Sequence, residues 1–88
     1  MTGEDLKNAR HTLGERWDLG GPVSKPEMGR LIGFSSPRPG DRVHDLERGH
    51  DNVTGAVARV VQALLEGWVP SDVRIDPPRI IFRDLNDH

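Results

Sequence analysis

With 88 residues, the chain has room for one domain with a modest hydrophobic core, and the absence of cysteine excludes a disulfide framework, a thiolate zinc site and a cysteine nucleophile. The formal net charge of −2 argues mildly against a nucleic-acid partner, because phosphate-binding domains are usually basic. Residues 1–50 nevertheless balance eight basic against eight acidic side chains, so any phosphate-facing surface has to be built by local placement.

The first predicted element is a helix that begins after Thr2. Thr2 lies three residues before Asp5, which is the spacing of a capping box. Apolar residues follow at spacings of three and four, namely Leu6, Ala9, Leu13 and Trp17. The helix is predicted to end between Gly14 and Trp17, because paired glycines and a proline make residues 18–22 a loop.

A second helix is predicted to begin at Ser24. Ser24 is a good N-cap, Pro26 is tolerated in the first turn, and Glu27 occupies the acidic position of a capping box. Gly33 is expected to end the helix in the left-handed conformation, and Phe34 to close that end with a hydrophobic contact. The apolar stripe of this two-turn helix is Met28, Leu31 and Ile32.

Residues 35–40 are predicted to separate the second helix from the third, because each of their two prolines disfavours the helical conformation of the residue before it. The third helix is therefore predicted to begin later, with Asp41 as its N-cap and Gly49 as its C-terminal stop. Val43 and Leu46 give it one apolar face, and its other positions are mostly polar.

The fourth predicted helix carries the fullest apolar stripe of the chain, which is Val53, Ala56, Val57, Val60, Val61, Leu64, Leu65 and Trp68. Gly67 and Pro70 bound this helix. Residues 72–78 are expected to be extended or turning. Residues 79–83 predict a short strand, because their content is β-branched and aromatic.

Two strings of the sequence, SKPEMGRLIGF at residues 24–34 and VHDLERG at residues 43–49, resemble the Cro and cI repressor class of helix-turn-helix regulators, of the xenobiotic response element type. The class pattern for the second helix is matched by Ser24, Glu27, Met28, Gly29, Gly33 and Phe34. The pattern for the end of the third is matched by Val43, Leu46, Glu47 and Gly49. A small residue at position 29 lets the third helix cross close to the second.

The resemblance covers roughly the first two-thirds of the chain and implies a mainly α fold, a lambda-repressor-like helix-turn-helix domain of four to five helices over residues 1–69. Residues 70–88 are predicted to be a short C-terminal tail that contains the candidate strand. It also implies an ion pair between Arg10 and Glu47. The chain departs from the class by two insertions, at residues 15–22 and within 35–40. The second insertion either alters docking on DNA or adds an arm that carries Arg38.

In a helix-turn-helix protein, the start and outer face of the third helix meet base edges, while caps and helix N-termini meet phosphate. The base-side candidates are Arg38, Asp41, Arg42, His44 and Asp45. Arg42 is the strongest of them, because arginine can donate two parallel hydrogen bonds to guanine. The phosphate candidates are Lys25, Ser35, Ser36, Arg48, His50 and Asn52. The same side chains also fit a solvated, salt-bridged face, and the sequence leaves both interpretations open.

The sequence therefore predicts a transcriptional regulator, of the kind found in phages, prophages and other mobile elements, that binds double-stranded DNA at an inverted repeat as a homodimer. The alternative is a protein-interaction module of the same fold, such as an anti-activator or an antitoxin. Two dimer interfaces are candidates. One is Trp68 with the end of the fourth helix, and the other, preferred because an unpaired strand edge invites aggregation, is Ile80, Ile81 and Phe82.

No catalytic motif, cofactor or metal site is expected. The histidines and aspartates around position 45 have no recognised metal-ligand spacing. The polar start of the chain and the absence of a long apolar run predict a cytoplasmic protein without a membrane partner.

Overall fold

The computed structural model describes residues 1–35 and 37–83. In this part of the chain, four helices precede a two-stranded antiparallel sheet, and the elements are α1 (Gly3–Arg16), α2 (Lys25–Ile32), α3 (Pro39–Glu47), α4 (Gly55–Leu65), β1 (Val73–Asp76) and β2 (Arg79–Phe82). The predicted mainly helical class with a short C-terminal β element is confirmed. Among the described helices, none has the length and apolar character that crossing a membrane requires.

The capping box predicted for α1 is present. The Thr2 hydroxyl accepts a hydrogen bond from the Asp5 backbone N–H at 3.1 Å, and Asp5 Oδ2 accepts one from the Thr2 backbone N–H at 2.9 Å. The backbone hydrogen bond first, and the hydroxyl second, hold the pKa of the Asp5 carboxyl below its usual value. Because the folded-state pKa is the lower one, this contribution to stability is present at neutral pH and is lost as the pH falls through that lowered pKa.

Both predicted ends of α2 are confirmed, although the Glu27 carboxylate accepts from the Ser24 hydroxyl and not from the backbone N–H as in a capping box. The Ser24 hydroxyl accepts a hydrogen bond from the Glu27 backbone N–H at 3.3 Å and donates one to the Glu27 carboxylate at 2.8 Å. Gly33 adopts the left-handed conformation with φ of 99°, and the Phe34 N–H donates to the Gly29 carbonyl at 3.0 Å. A glycine suits this position because it has no Cβ to clash.

The predicted start of α3 is wrong. The helix begins at Pro39, with Arg38 as N-cap, and Asp41 lies inside its first turn. A proline suits the first helical position, because its φ is already helical and its missing N–H has no helical partner there. The restriction acts on Arg38, which stays outside the helical region with φ of −127° and ψ of 67°.

The predicted apolar stripe of α4 extends beyond the helix at both ends. α4 begins after Thr54, whose hydroxyl accepts a hydrogen bond from the Val57 backbone N–H at 3.3 Å. It ends at Leu65, and Gly67 follows with φ of 108°. Val53 and Trp68 therefore lie outside the helix.

The C-terminal β element is a hairpin rather than a lone strand. The β1 strand, which the sequence did not resolve from a turn, pairs with β2 in antiparallel register, so that Val73 lies opposite Phe82 and Asp76 opposite Arg79. The unpaired edge that favoured a strand-mediated dimer is thus already paired on one side within the chain.

One hydrophobic core joins the helices and the hairpin. Its largest fully buried side chains are Leu6, Leu13, Val23, Met28, Val43, Leu46, Val61 and Leu64. Trp17 and Ile80 are buried in the same cluster. The Arg30 guanidinium lies 4.3 Å from the centre of the Phe82 ring, which adds a cation–π contact between α2 and β2.

Candidate nucleic-acid interface

α2 and α3 approach each other through two reciprocal glycine–proline contacts. A Cβ added to Gly29 of α2 would lie 2.6 Å from the Pro39 carbonyl oxygen and 2.7 Å from its Cβ. A Cβ added to Gly40 of α3 would lie 2.9 Å from Cγ of Pro26. Each helix thus presents a glycine to a proline in the first turn of the other. These contacts fix the start of α3 against α2 and leave no space for a larger residue.

The C-terminal end of α3 is held by the ion pair that the family resemblance implies. Arg10 Nε lies 2.7 Å from Glu47 Oε2, and Arg10 Nη2 donates to Glu47 Oε1 at 3.0 Å. The two side chains are only 9% and 6% exposed. Arg10 Nη1 also donates to the Val23 carbonyl at 2.9 Å, so one guanidinium connects α1, the segment before α2 and the end of α3.

The first turn of α3 exposes a group of charged side chains. Arg38 and Asp41 are 83% and 72% exposed and lie 3.9 Å apart, from Nη1 to Oδ2. The exposed Arg42 places its guanidinium 5.0 Å from the centre of the Phe34 ring, at the turn that follows α2. A shallow hollow of about 360 Å³ lies among these residues and is lined by Pro37, Arg38, Asp41, Arg42, Asp45 and Asp51.

The two remaining base-side candidates lie farther along α3. His44 is half-buried, and its Nδ1 atom lies 2.9 Å from Nζ of Lys25 at the start of α2. Asp45 Oδ1 lies 3.5 Å from Nδ1 of His50, and both side chains are about half exposed. All five base-side candidates therefore lie on α3 or at its N-cap, and each is at least partly accessible.

The phosphate candidates are less closely grouped. Ser35, Arg48, His50 and Asn52 are exposed, and Ser36 lies outside the described residues. Arg48 is the C-cap of α3, and a helix of nine residues is about 13 Å long by its rise per residue. Arg48, His50 and Asn52 thus lie at the opposite end of α3 from Arg38 and Arg42.

The residues proposed for dimerisation differ in how far the fold buries them. Ile80 is only 8% exposed and belongs to the chain's own core, so little of its side chain is available to a second copy. Phe82 is half-buried beneath Arg30. Trp68 and Ile81 remain exposed, at 49% and 43%. Ile80 is buried because successive side chains of a strand point to opposite faces, and that of Ile80 lies on the buried face of β2.

Within residues 1–35 and 37–83, no three histidine or acidic side chains lie close enough together to hold a metal ion. No family model matches the chain, and no curated protein or solved structure is detectably similar to it.

Proposed function

We propose that the chain is a sequence-specific DNA-binding transcriptional regulator that acts in the cytoplasm and inserts α3 into the major groove. The observation that supports this most strongly is the exposed first turn of α3, in which Arg38 and Arg42 project beside a helix that is fixed against α2. Recognition by a helix in the groove depends on side chains at its N-terminal end, and arginine is the side chain best suited to guanine.

The fixed position of α3 supplies the rigidity that base recognition needs. The Gly29 and Gly40 contacts hold its first turn, and the Arg10–Glu47 pair holds its last. The connection between the helices spans the six residues 33–38, which is longer than the usual three or four residues. Because Pro39 still lies against Gly29, the extra residues lengthen the turn without separating the two helices.

Arg42 has to leave the Phe34 ring to reach a base. An exposed cation–π contact stabilises by about 0.5–1 kcal/mol, whereas a bidentate arginine–guanine contact discriminates against the wrong base by about 1–3 kcal/mol. Losing the ring contact therefore costs no more than the discrimination that a guanine contact supplies. In the free protein, the contact with Phe34 restricts the rotamers of Arg42. Less side-chain entropy is then lost when Arg42 is ordered on DNA.

The second candidate function, a protein-interaction module such as an anti-activator or antitoxin, is favoured by the acidic side chains of the same surface. Asp41, Asp45 and Asp51 line one hollow with the two arginines, and carboxylates repel phosphate. A basic protein partner would be attracted to this hollow. The DNA proposal accordingly expects weak non-specific binding and a specificity that comes from base contacts.

Replacing Arg42 with alanine is expected to relax the preference at one base pair of the preferred sequence by about 1–3 kcal/mol. The preferred sequence is first enriched from a randomised duplex library, and affinities for its single-base variants are then measured by fluorescence anisotropy at several salt concentrations. Arg79→Ala, which removes an exposed arginine from β2, is the matched control and should leave the preference unchanged. Failure to enrich any sequence, even at low salt, would reject DNA binding and favour the protein-interaction module.

An inverted repeat requires two copies of α3, about 34 Å apart, and hence a dimer. We propose that the outer face of α4 forms it. An apolar hollow of about 340 Å³ is lined there by Arg59, Val60, Ala63 and Trp68. Arg59 and Glu66 are both exposed and lie seven residues apart, on one side of the helix axis. A two-fold axis through this face would place Arg59 against the partner subunit's Glu66.

Reversing one of these charges is expected to weaken the dimer at least tenfold, because like charges then face each other twice across the two-fold axis. Light scattering over a range of concentrations measures the dissociation for Arg59→Glu, for Glu66→Arg and for the double variant, which should restore association. Arg79→Glu is the control for net charge. A chain that stays monomeric at every concentration, or single variants that associate like the unmodified protein, would exclude this interface.

A further inference from the structure

The contact between Lys25 and His44 determines which nitrogen of the histidine carries a proton. Nζ of Lys25 lies 2.9 Å from Nδ1 of His44. A lysine ammonium has three donors and no acceptor, so Nδ1 must accept the hydrogen bond. The ring proton of the neutral imidazole then lies on Nε2, which makes Nε2–H a donor.

That second nitrogen is not fully buried. In the described part of the chain, no buried side-chain nitrogen or oxygen lacks a hydrogen-bond partner, and Nε2 of His44 makes no hydrogen bond there. Nε2 is therefore not buried. It is a donor on α3, in a half-buried ring whose other nitrogen contacts Lys25 of α2.

We propose that His44 is a dedicated hydrogen-bond donor in the DNA interface, and that Lys25 is a positioning residue that fixes its tautomer and ring orientation. The inference rests on the proposed DNA-binding function. Its ligand is a hydrogen-bond acceptor of DNA, which is either a base edge in the major groove or a phosphate oxygen. The base-edge acceptors are purine N7, guanine O6 and thymine O4. The amino group of cytosine, itself a donor, is disfavoured. Lys25 then acts through His44 instead of serving as the phosphate contact that the sequence predicts.

The first part of the test uses the free protein. A long-range proton–nitrogen correlation spectrum, recorded at a pH where imidazole is neutral, should show an unprotonated Nδ1 and a protonated Nε2 for His44. Lys25→Met, which keeps the length of the side chain but removes its donor, should shift both nitrogens toward a mixture of tautomers. Lys25→Arg should preserve the pattern, and Lys7→Met, which removes an exposed positive charge from α1, should leave it unchanged.

The second part uses the DNA sequence selected above and two substitutions of His44. Glutamine places an amide N–H near the position of Nε2, whereas asparagine places it near Nδ1. His44→Gln should bind within about twofold of the unmodified protein and His44→Asn about tenfold more weakly, the order of one net hydrogen bond. A loss confined to one base position identifies a base acceptor, and an equal loss on all sequences identifies a phosphate. Circular dichroism melting curves show whether each variant is folded.

Two results would overturn the inference separately from the proposed function. A tautomer that Lys25→Met leaves unchanged would remove the positioning role, whether or not DNA binds. Equal losses from His44→Gln and His44→Asn would remove the donor role while DNA binding stands. If no DNA binds although the tautomer is fixed, the proposed function fails and the donor role fails with it.

Discussion

Replacing Glu47 with alanine is expected to lower the free energy of unfolding by about 3 kcal/mol, because breaking a buried ion pair leaves its other member charged and unpaired. Arg10 would keep its hydrogen bond to the Val23 carbonyl but lose both contacts to the carboxylate. For a domain of this size, such a loss corresponds to a fall in melting temperature of roughly 15 °C. Thermal and urea unfolding followed by circular dichroism measure both quantities.

The matched control for this prediction is an ion pair in the open. Arg74 and Asp76 of β1 lie 3.8 Å apart with side chains 77% and 56% exposed. Asp76→Ala should change the free energy of unfolding by no more than about 0.5 kcal/mol, because an exposed pair is screened by water and loses side-chain entropy when it forms. Equal effects from Glu47→Ala and Asp76→Ala would show that the Arg10–Glu47 pair is not the anchor of α3.

The features predicted correctly from the sequence are those that local chemistry decides. The caps at Thr2 and Ser24 and the glycine at position 33 are specified by side chains within three or four residues of the helix end, so their pattern is visible in the chain. The same local chemistry predicts a start of α3 that is three residues too late, with Asp41 instead of Arg38 as the N-cap. Pro39 does not exclude a helix, because the proline restriction acts on the preceding Arg38 and a proline is itself a good first helical residue.

The hairpin and the details of the interface depend on contacts between distant parts of the chain. β1 has only four residues, with apolar residues at just two of them, and this is too short an alternation to be distinguished from a turn. Lys25 and His44 are 19 residues apart, and no local pattern predicts their contact. The Arg10–Glu47 pair spans 37 residues and was implied only by the family resemblance.

Of the two glycine–proline contacts between α2 and α3, only the need for a small residue at position 29 was predictable from the sequence. A small residue there is part of the helix-turn-helix pattern, and the structure shows what it accommodates, which is the backbone and ring of Pro39. The reciprocal role of Gly40 against Pro26 had no signal of its own. Gly40 belongs to a stretch rich in serine, proline and glycine, and this composition predicts a loop instead of the first turn of a helix.

Replacing Gly29 with alanine is expected to destabilise the fold by about 2 kcal/mol, within the range for overpacking a close contact. The added Cβ would meet a backbone carbonyl at 2.6 Å, so α3 has to move away from α2. Gly40→Ala should cost less, because its Cβ would meet ring atoms of Pro26 at 2.9–3.0 Å. Urea unfolding at equilibrium gives the order of the two effects.

The control for both is Gly55→Ala in the first turn of α4, where an added Cβ has no atom within 4 Å and alanine is the better helix former. It should leave the free energy of unfolding unchanged or raise it slightly. Gly29→Ala should also reduce sequence-specific DNA binding under conditions in which the variant remains folded, since displacing α3 misaligns Arg42 and His44 together. If folded Gly29→Ala bound the selected sequence with unchanged affinity, the close crossing of α2 and α3 would be structural only, and the site of DNA recognition would have to lie elsewhere on the chain.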